Sequence, residues 1–247
     1  MDRAAWIGSF VAACLLTGAG VAVAQAPAPP LRAALETCET SPLPAGRVAS
    51  FVGSMPAISG ATRMQMRFEL LRRRPGEKLW HRVRGVEGFG VWESSLPDRA
   101  GFVFHKRVDG LRVPAHYRAG VRFRWNRADG TVVRAERRRT PVCRQPDLRP
   151  DLVPGALRAV LDARPALAVY TLVVRNDGRS PAQASSVRIA QGVSEVPALA
   201  AGAQAEVVVV AAACAPGASV AAVVDADRRV DEADEDNGLQ RRCPLIR

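Results

Sequence analysis

The stretch VVDADRRVDEADEDNG, residues 223–238, is the most distinctive run in the chain. A β-like segment runs into a cluster of acidic residues, a single bulky apolar residue, Val230, stands among them, and Asn237-Gly238 closes the run. Short β-like segments separated by turn residues precede it along the whole chain, with no long helical period. This pattern predicts that the stretch closes an all-β sandwich.

The strands before the acidic run show the period of two that marks a strand with one buried face. In residues 166–176, Tyr170, Leu172 and Val174 alternate with other residues and end at an Asn-Asp-Gly turn. Residues 117–138 predict a hairpin around Asp129-Gly130. Apolar and arginine residues alternate along its first strand; they are Tyr117, Val121, Phe123 and Trp125 on one side and Arg118, Arg122 and Arg124 on the other.

Three pieces occur in order over roughly residues 150–246: YTLVVRNDGRSPA, VPALAAG and VVDADRRVDEADEDNG. With these pieces, the second half of the chain resembles CARDB, the cell-adhesion-related domain found in bacteria. Val224, Asp225, Val230, Glu232, Glu235 and Asn237 fall on the family's positions, whereas Gly238 replaces a second Asn. The resemblance implies an immunoglobulin-like sandwich in exported or surface proteins, and it does not imply catalysis.

The N-terminal segment is typical of an export signal. An apolar run follows Arg3, and Ala22-Val23-Ala24 offers a cleavage site. We therefore predict a cleaved signal peptide over 1–24, a Pro/Ala-rich tether over 25–35, and no membrane span after cleavage. The expected location is periplasmic or extracellular.

Four cysteines remain after the signal: Cys38, Cys143, Cys214 and Cys243. An even count in an exported chain indicates two disulfides, although four cysteines allow three pairings. We favour Cys38–Cys143 and Cys214–Cys243, because each pair then closes within one proposed domain. The proline-rich segment 140–154 predicts the boundary between a basic β-sandwich domain, 36–145, and a CARDB-like β-sandwich domain, 146–247. The expected fold is therefore two tandem immunoglobulin-like β-sandwiches.

Charge is distributed unevenly in this chain, whose net charge is +11. Residues 25–150 contain 24 Arg/Lys and 11 Asp/Glu, a net charge of +13. Residues 151–247 contain 10 Arg/Lys and 12 Asp/Glu, a net charge of −2. The hairpin concentrates arginines that would form one guanidinium stripe across adjacent strands. The candidate binding residues are Arg118, Arg122, Arg124, Arg134 and Arg137. They predict contact with polyanions or acidic polysaccharide, or alternatively an ordinary solvated face.

The acidic run has two interpretations. In the structural one, Asp225 and Asp227 accept main-chain N–H groups, Val230 plugs the sandwich end, and Glu232 and Glu235 bridge to neighbouring strands. In the other, Asp225, Asp227, Glu232 and Glu235 bind calcium, because clustered carboxylates suit a hard cation. No standard calcium-loop spacing is present, so no cofactor is required and calcium remains an alternative.

Catalytic motifs are lacking in the sequence. The three histidines, His81, His105 and His116, show no metal-binding spacing, and no G-x-S-x-G or glycine-rich phosphate loop occurs. We therefore expect a non-catalytic binding, adhesion or spacer protein whose partner is an envelope protein or polysaccharide. Nucleic acid is not an expected partner, and the oligomeric state is left open. The alternatives are an envelope enzyme or enzyme accessory subunit, and a calcium-dependent adhesion module.

Overall fold

The computed structural model describes residues 27–162, 166–215, 217–243 and 245–246. The predicted signal peptide, 1–24, and the first two residues of the predicted tether lie outside these residues. Within the described ranges, no helix has the length and apolar character needed to cross a membrane.

The N-terminal part folds into two antiparallel sheets. Its strands are β1 (Arg32–Glu39), β2 (Val48–Pro56), β3 (Arg63–Arg73), β4 (His81–Arg82), β5 (Trp92–Ser94), β6 (Gly101–Val108), β7 (Ala115–Asn126), β8 (Val132–Arg139) and β9 (Cys143–Gln145). One sheet has the order β1-β2-β6. The other has the order β4-β3-β7-β8, with β5 also paired to β3 and β9 to β7.

The alternation in the sequence decides which face of β3 and β7 is buried. Every second residue of β7 is buried, including Phe123 and Trp125, and Phe68 is buried in the same way on β3. These side chains share one hydrophobic cluster with Phe51 of β2. The two sheets therefore pack face to face, and burial of these large side chains supplies most of the driving force.

The C-terminal part also forms two sheets. Its strands are β10 (Leu152–Leu161), β11 (Leu167–Asn176), β12 (Ser185–Ile189), β13 (Gly192–Val196), β14 (Gln204–Ala212), β15 (Ser219–Val224), β16 (Gly238–Arg242) and β17 (Leu245–Ile246). The sheet orders are β14-β11-β10-β17 and β13-β12-β15-β16. Tyr170 and Leu172 of β11 pack in one cluster with Ile189 of β12 and Val230 of the acidic run.

The predicted all-β sandwich class is confirmed. Buried apolar residues form two clusters, one between Ala49 and Cys143 and the other between Leu152 and Val230. The predicted domain bounds, 36–145 and 146–247, are not tested by these clusters and remain predictions.

The structure corrects several predicted segments. Strand β1 begins at Arg32, inside the predicted tether, because Ala34 packs inward and Arg32 pairs with Ser54 of β2. Strands β2, β9 and β13 were not predicted, and β9 lies within the proline-rich segment 140–154. The C-terminal segment divides between the two sheets, because β16 pairs with β15 and β17 pairs with β10.

Candidate anion-binding face

The outward face of the β4-β3-β7-β8 sheet gathers the arginines of three strands. The register places Arg67 of β3 opposite Arg122 of β7, and Arg122 opposite Arg137 of β8. Trp92 of β5 lies on the other side of Arg67. Neighbouring strands are about 4.8 Å apart, so these four residues form one row across the sheet. We call the outward residues Arg67, Arg73, Arg118, Arg122, Arg124, Arg137 and Arg139, with Trp80 and Trp92, the basic face.

Tryptophans order three arginines of the basic face. The guanidinium of Arg124 lies over the Trp92 ring, 4.1 Å from its centroid. Arg118 lies over the Trp80 ring at 4.0 Å, and Arg73 approaches the same ring at 5.1 Å. Stacking of this kind holds the flat cation in place while its edges remain able to donate hydrogen bonds.

Glu69 is the one acidic residue at the outward positions of β3, β7 and residues 135–139 of β8, all of which the structure describes. Its carboxylate lies 3.5 Å from Arg122, 3.7 Å from Arg67 and 3.8 Å from Arg82. One carboxylate is therefore shared by three guanidinium groups as their ion-pair partner. The excess positive charge is not neutralised within the sheet.

Burial and neighbouring arginines lower the pKa of two groups on this sheet. Partial burial, Arg139 and Arg73 lower the pKa of Arg118. Burial, Arg73 and Arg144 lower the pKa of His116 below its ordinary 6.5, which favours the neutral imidazole. The positive charge of the face comes mainly from its arginines.

Shallow grooves follow the row of arginines. The larger, about 530 Å³, is lined by Arg122, Arg137 and Arg139, with Glu69 and Gly120. Gly120 has no side chain at the point where β7 lies between Glu69 and Arg139, which leaves the groove open there. A smaller hollow of about 280 Å³ continues past Arg122 to Trp92 and Arg124.

Of the five predicted binding arginines, the structure brings four together. Arg118, Arg122, Arg124 and Arg137 lie on the outward side, but Arg134 does not. Arg134 pairs in register with Trp125, whose side chain points to the core, and it approaches that ring at 5.4 Å. Its guanidinium is bound by Glu136, at 2.8 Å, on the edge of the sheet. The prediction that one stripe holds all five arginines is therefore wrong for Arg134.

Sequence reasoning missed the arginines that β3 contributes. Arg67 and Arg73 occupy outward positions of β3, where polar residues alternate with the buried Met64, Met66 and Phe68. The signal was the set of polar residues alternating with those apolar ones. These polar residues could not be assigned to the surface of the β7 arginines without knowing that β3 and β7 are neighbours.

Carboxylates of the acidic run accept hydrogen bonds from main-chain N–H groups. Asp225 accepts hydrogen bonds from the N–H groups of Arg229 and Val230, both at 3.1 Å, and Asp227 accepts one from Ser186 at 3.2 Å. Val230 is buried, 6% exposed, in the core cluster. This is the arrangement that the structural interpretation predicted.

Glu232 ties the acidic run to the first strand of the C-terminal part. It is fully buried, accepts the N–H of Leu152 at 2.6 Å and also accepts the side-chain amide of Asn237. Burial raises the pKa of Glu232 to about 7. Glu235 accepts the N–H of Glu232 at 3.1 Å, within the run itself.

These hydrogen bonds occupy carboxylate oxygens that a cation would need as ligands. Over the described residues, no group of three or more His, Cys, Asp or Glu side chains is placed to hold a metal ion. The predicted calcium ligands, Asp225, Asp227, Glu232 and Glu235, instead serve main-chain and amide donors.

An ion-pair network joins the acidic run to the segment between the two core clusters. Arg149 binds Asp147 and Asp231, each at 2.8 Å. Arg47, from the N-terminal part, lies 3.8 Å from the same Asp231. Asp231 is therefore a point of contact between the acidic run and the N-terminal part.

Both disulfides have the favoured pairing. Cys38 is joined to Cys143, and Cys214 to Cys243. Cys38 and Cys143 link β1 to β9, at the edges of the two N-terminal sheets.

The histidines do not converge. His81 lies 3.9 Å from Glu77 and His105 lies 3.0 Å from Glu36, at separate places. His116 belongs to the basic-face sheet, where its Nδ1 is buried without a hydrogen-bond partner among the described residues.

Comparison with known proteins bears on the second half of the chain. The CARDB family model matches residues 149–241. The predicted resemblance is confirmed over this range, which ends after the acidic run. A CARDB domain and two disulfides fit an extracytoplasmic protein. No curated protein matches the chain.

Two solved structures are similar at low identity. The class 5 fimbriae chaperone CfaA has 9% identity and a TM-score of 0.26. A chaperone–tip adhesin complex of CFA/I fimbriae biogenesis has 10% identity and a TM-score of 0.26. Each comparison covers 85% of this chain and 98% of the other.

Proposed function

We propose that this chain is a non-catalytic, exported binding protein of the bacterial cell envelope. Its N-terminal part binds polyanions, such as acidic polysaccharide, through the basic face. Its C-terminal CARDB domain is the scaffold or spacer that presents this face. Residues 1–24 act as a cleaved signal peptide, and the mature protein works in the periplasm or outside the cell.

The row formed by Arg67, Arg122 and Arg137 is the observation that carries the proposal. A flat row of guanidinium groups can pair with carboxylate, sulfate or phosphate groups repeated along a polymer. Only Glu69 competes for these groups from within the sheet. The stacked tryptophans support the same role, since they reduce the freedom that arginines lose on binding.

The acidic run has a different role in this proposal. Its carboxylates are engaged by Leu152, Ser186 and the run's own N–H groups, so they stabilise the CARDB domain. The binding surface and the most acidic segment therefore lie in opposite halves of the chain.

Binding of the full mature chain to immobilised heparin and to polygalacturonate tests the proposal. The test variant carries Arg122→Gln and Arg137→Gln on the basic face. The control carries Arg127→Gln and Arg134→Gln, which remove the same charge from exposed residues that lie off this face. Each exposed ionic contact contributes up to about 1 kcal/mol. The face variant should therefore bind about fivefold to thirtyfold more weakly, whereas the control should bind nearly as well as the wild type.

Salt provides the second readout. Exposed charges are screened as ionic strength rises, so retention should fall steadily with added salt. Retention that is independent of salt, or equal loss in the two double variants, would show that the basic face is not the binding surface.

A further inference from the structure

A second candidate site lies at the end of the N-terminal sandwich, where β3 ends and β7 begins. This end cleft has a volume of about 390 Å³. Its inner wall includes Leu70, Leu111 and Tyr117, all buried, with Val83 and Val86 half-buried beside them. These residues belong to the core cluster or pack against it. The apolar surface open to a ligand is therefore supplied mainly by Val83 and Val86, which pack against the core.

Unpaired positive charge surrounds this apolar wall. Arg72, Arg84 and Arg112 line the cleft, and none of them is in an ion pair among the described residues. The one acidic residue in the lining, Asp109, is paired at 2.9 Å with Arg107. The cleft therefore combines an apolar interior with three cations that lack an acidic partner in the described chain.

The segments that form the cleft are held in place. The Tyr117 hydroxyl donates to the carbonyl of Arg112 at 2.9 Å, and the Leu111 N–H donates to the carbonyl of Arg47 at 3.1 Å. Across the cleft, the Val83 N–H donates to the carbonyl of Leu70 at 2.9 Å. A pre-formed site loses little conformational freedom when a ligand binds.

We propose that the end cleft binds an anionic amphiphile with a single carboxylate or phosphate head and a short apolar body. Guanidinium groups recognise either head, and Val83 and Val86 offer apolar contact to the body. The volume is at the small end of ligand pockets, roughly 300–1,000 Å³, which favours a short body. Arg72 pairs with Tyr117 on the inner side of the sheet, away from the outward basic face. The two sites still adjoin at Arg82, which lines the cleft and lies 3.8 Å from Glu69.

Calorimetric titration of the mature protein with octanoate tests the proposal, with octyl phosphate, hexanoate and octanol as comparison ligands. The test variant carries Arg84→Gln and Arg112→Gln, both exposed positions that should leave folding intact. The control is Arg127→Gln, at the opposite end of the sandwich. Thermal unfolding of each variant checks that the fold is retained.

The expected results are specific to each part of the ligand. Octanoate should bind, and the double variant should bind it about tenfold or more weakly, since two charge-assisted contacts are lost. Hexanoate should bind more weakly by up to about fifteenfold, from about fourfold per buried methylene. The preferred head group, carboxylate or phosphate, follows from whether octanoate or octyl phosphate binds more tightly.

Three results would overturn the proposal. They are no binding of either octyl anion, equal affinity for octanol and octanoate, or equal loss in Arg127→Gln and in the double variant. Binding of polygalacturonate by the basic face is measured separately, so failure at one site is distinguishable from failure at the other.

Discussion

Replacing Glu232 by Gln should change how the stability of the C-terminal part depends on pH. Glu232 is fully buried and burial raises its pKa to about 7, from 4.5 in an open chain. The folded state therefore holds a proton that the unfolded state releases between these two values. Stability from this group is fully present below pH 4.5, falls as pH rises, and is lost above about pH 7.

The size of the effect follows from the separation of the two pKa values. Each pH unit of separation corresponds to about 1.36 kcal/mol, so ionisation of Glu232 costs the fold about 3 kcal/mol. Gln keeps an oxygen that accepts the Leu152 N–H. Its amide can donate to Asn237 once the Asn237 amide turns over, and no charge is buried. Glu232→Gln should therefore gain about 3 kcal/mol relative to wild type between pH 4 and pH 8.

Amide hydrogen exchange measures this difference where it occurs. The tryptophans in the described residues, Trp80, Trp92 and Trp125, all lie in the N-terminal part, so their fluorescence would not report on the C-terminal core. Exchange of the buried β11 amides gives the free energy of opening at each pH. Asp236→Asn, an exposed change in the same run, is the control and should leave the pH profile unaltered.

Subtracting the variant profile from the wild-type profile removes the contribution of every other titrating group. Parallel profiles for wild type and Glu232→Gln would refute the reasoning, because they would show that the carboxyl does not take up a proton on folding.

Three further predictions concern other parts of the chain. Tyr117→Phe removes the hydrogen bond to the Arg112 carbonyl and should lower the free energy of unfolding by about 1 kcal/mol; urea unfolding followed by tryptophan fluorescence measures it, and no change would mean that this bond adds nothing. Glu69→Gln frees the guanidinium groups it pairs with and should strengthen heparin binding about twofold to fivefold; weaker binding would contradict a competing role for Glu69. Val230→Ala opens a small cavity and should destabilise the C-terminal core by about 2 kcal/mol; β11 amides that exchange at the wild-type rate would show that Val230 is not a plug.

Period-two alternation predicted β7 and β11 well, because each has one fully buried face. Tyr117, Phe123 and Trp125 of β7 are buried as expected, and so are Tyr170 and Leu172 of β11. The same rule failed for β1, whose pattern mixes two alanines with charged residues at an edge. Its pairing with β2 is fixed by tertiary register, which local alternation does not specify.

The basic face was predicted only in part, because alternation gives the face of a strand but not its neighbours. Alternation placed Arg118, Arg122 and Arg124 on one face, but it could not reveal which strands lie beside β7. The register adds Arg67 from β3 and turns Arg134 to the opposite side. The end cleft could not be predicted at all, since Arg72, Arg84 and Arg112 come from three separate segments.

The Cys38–Cys143 disulfide closes nearly the whole N-terminal part into a covalent ring, because the two cysteines are 105 residues apart in sequence. A single protease cut in the exposed turn at 74–76 would open this ring without releasing a fragment. The two pieces would still be joined by the disulfide and by the sheet pairing of β3 with β7. Such a nicked molecule would migrate as one chain on a non-reducing gel and separate into two only after reduction.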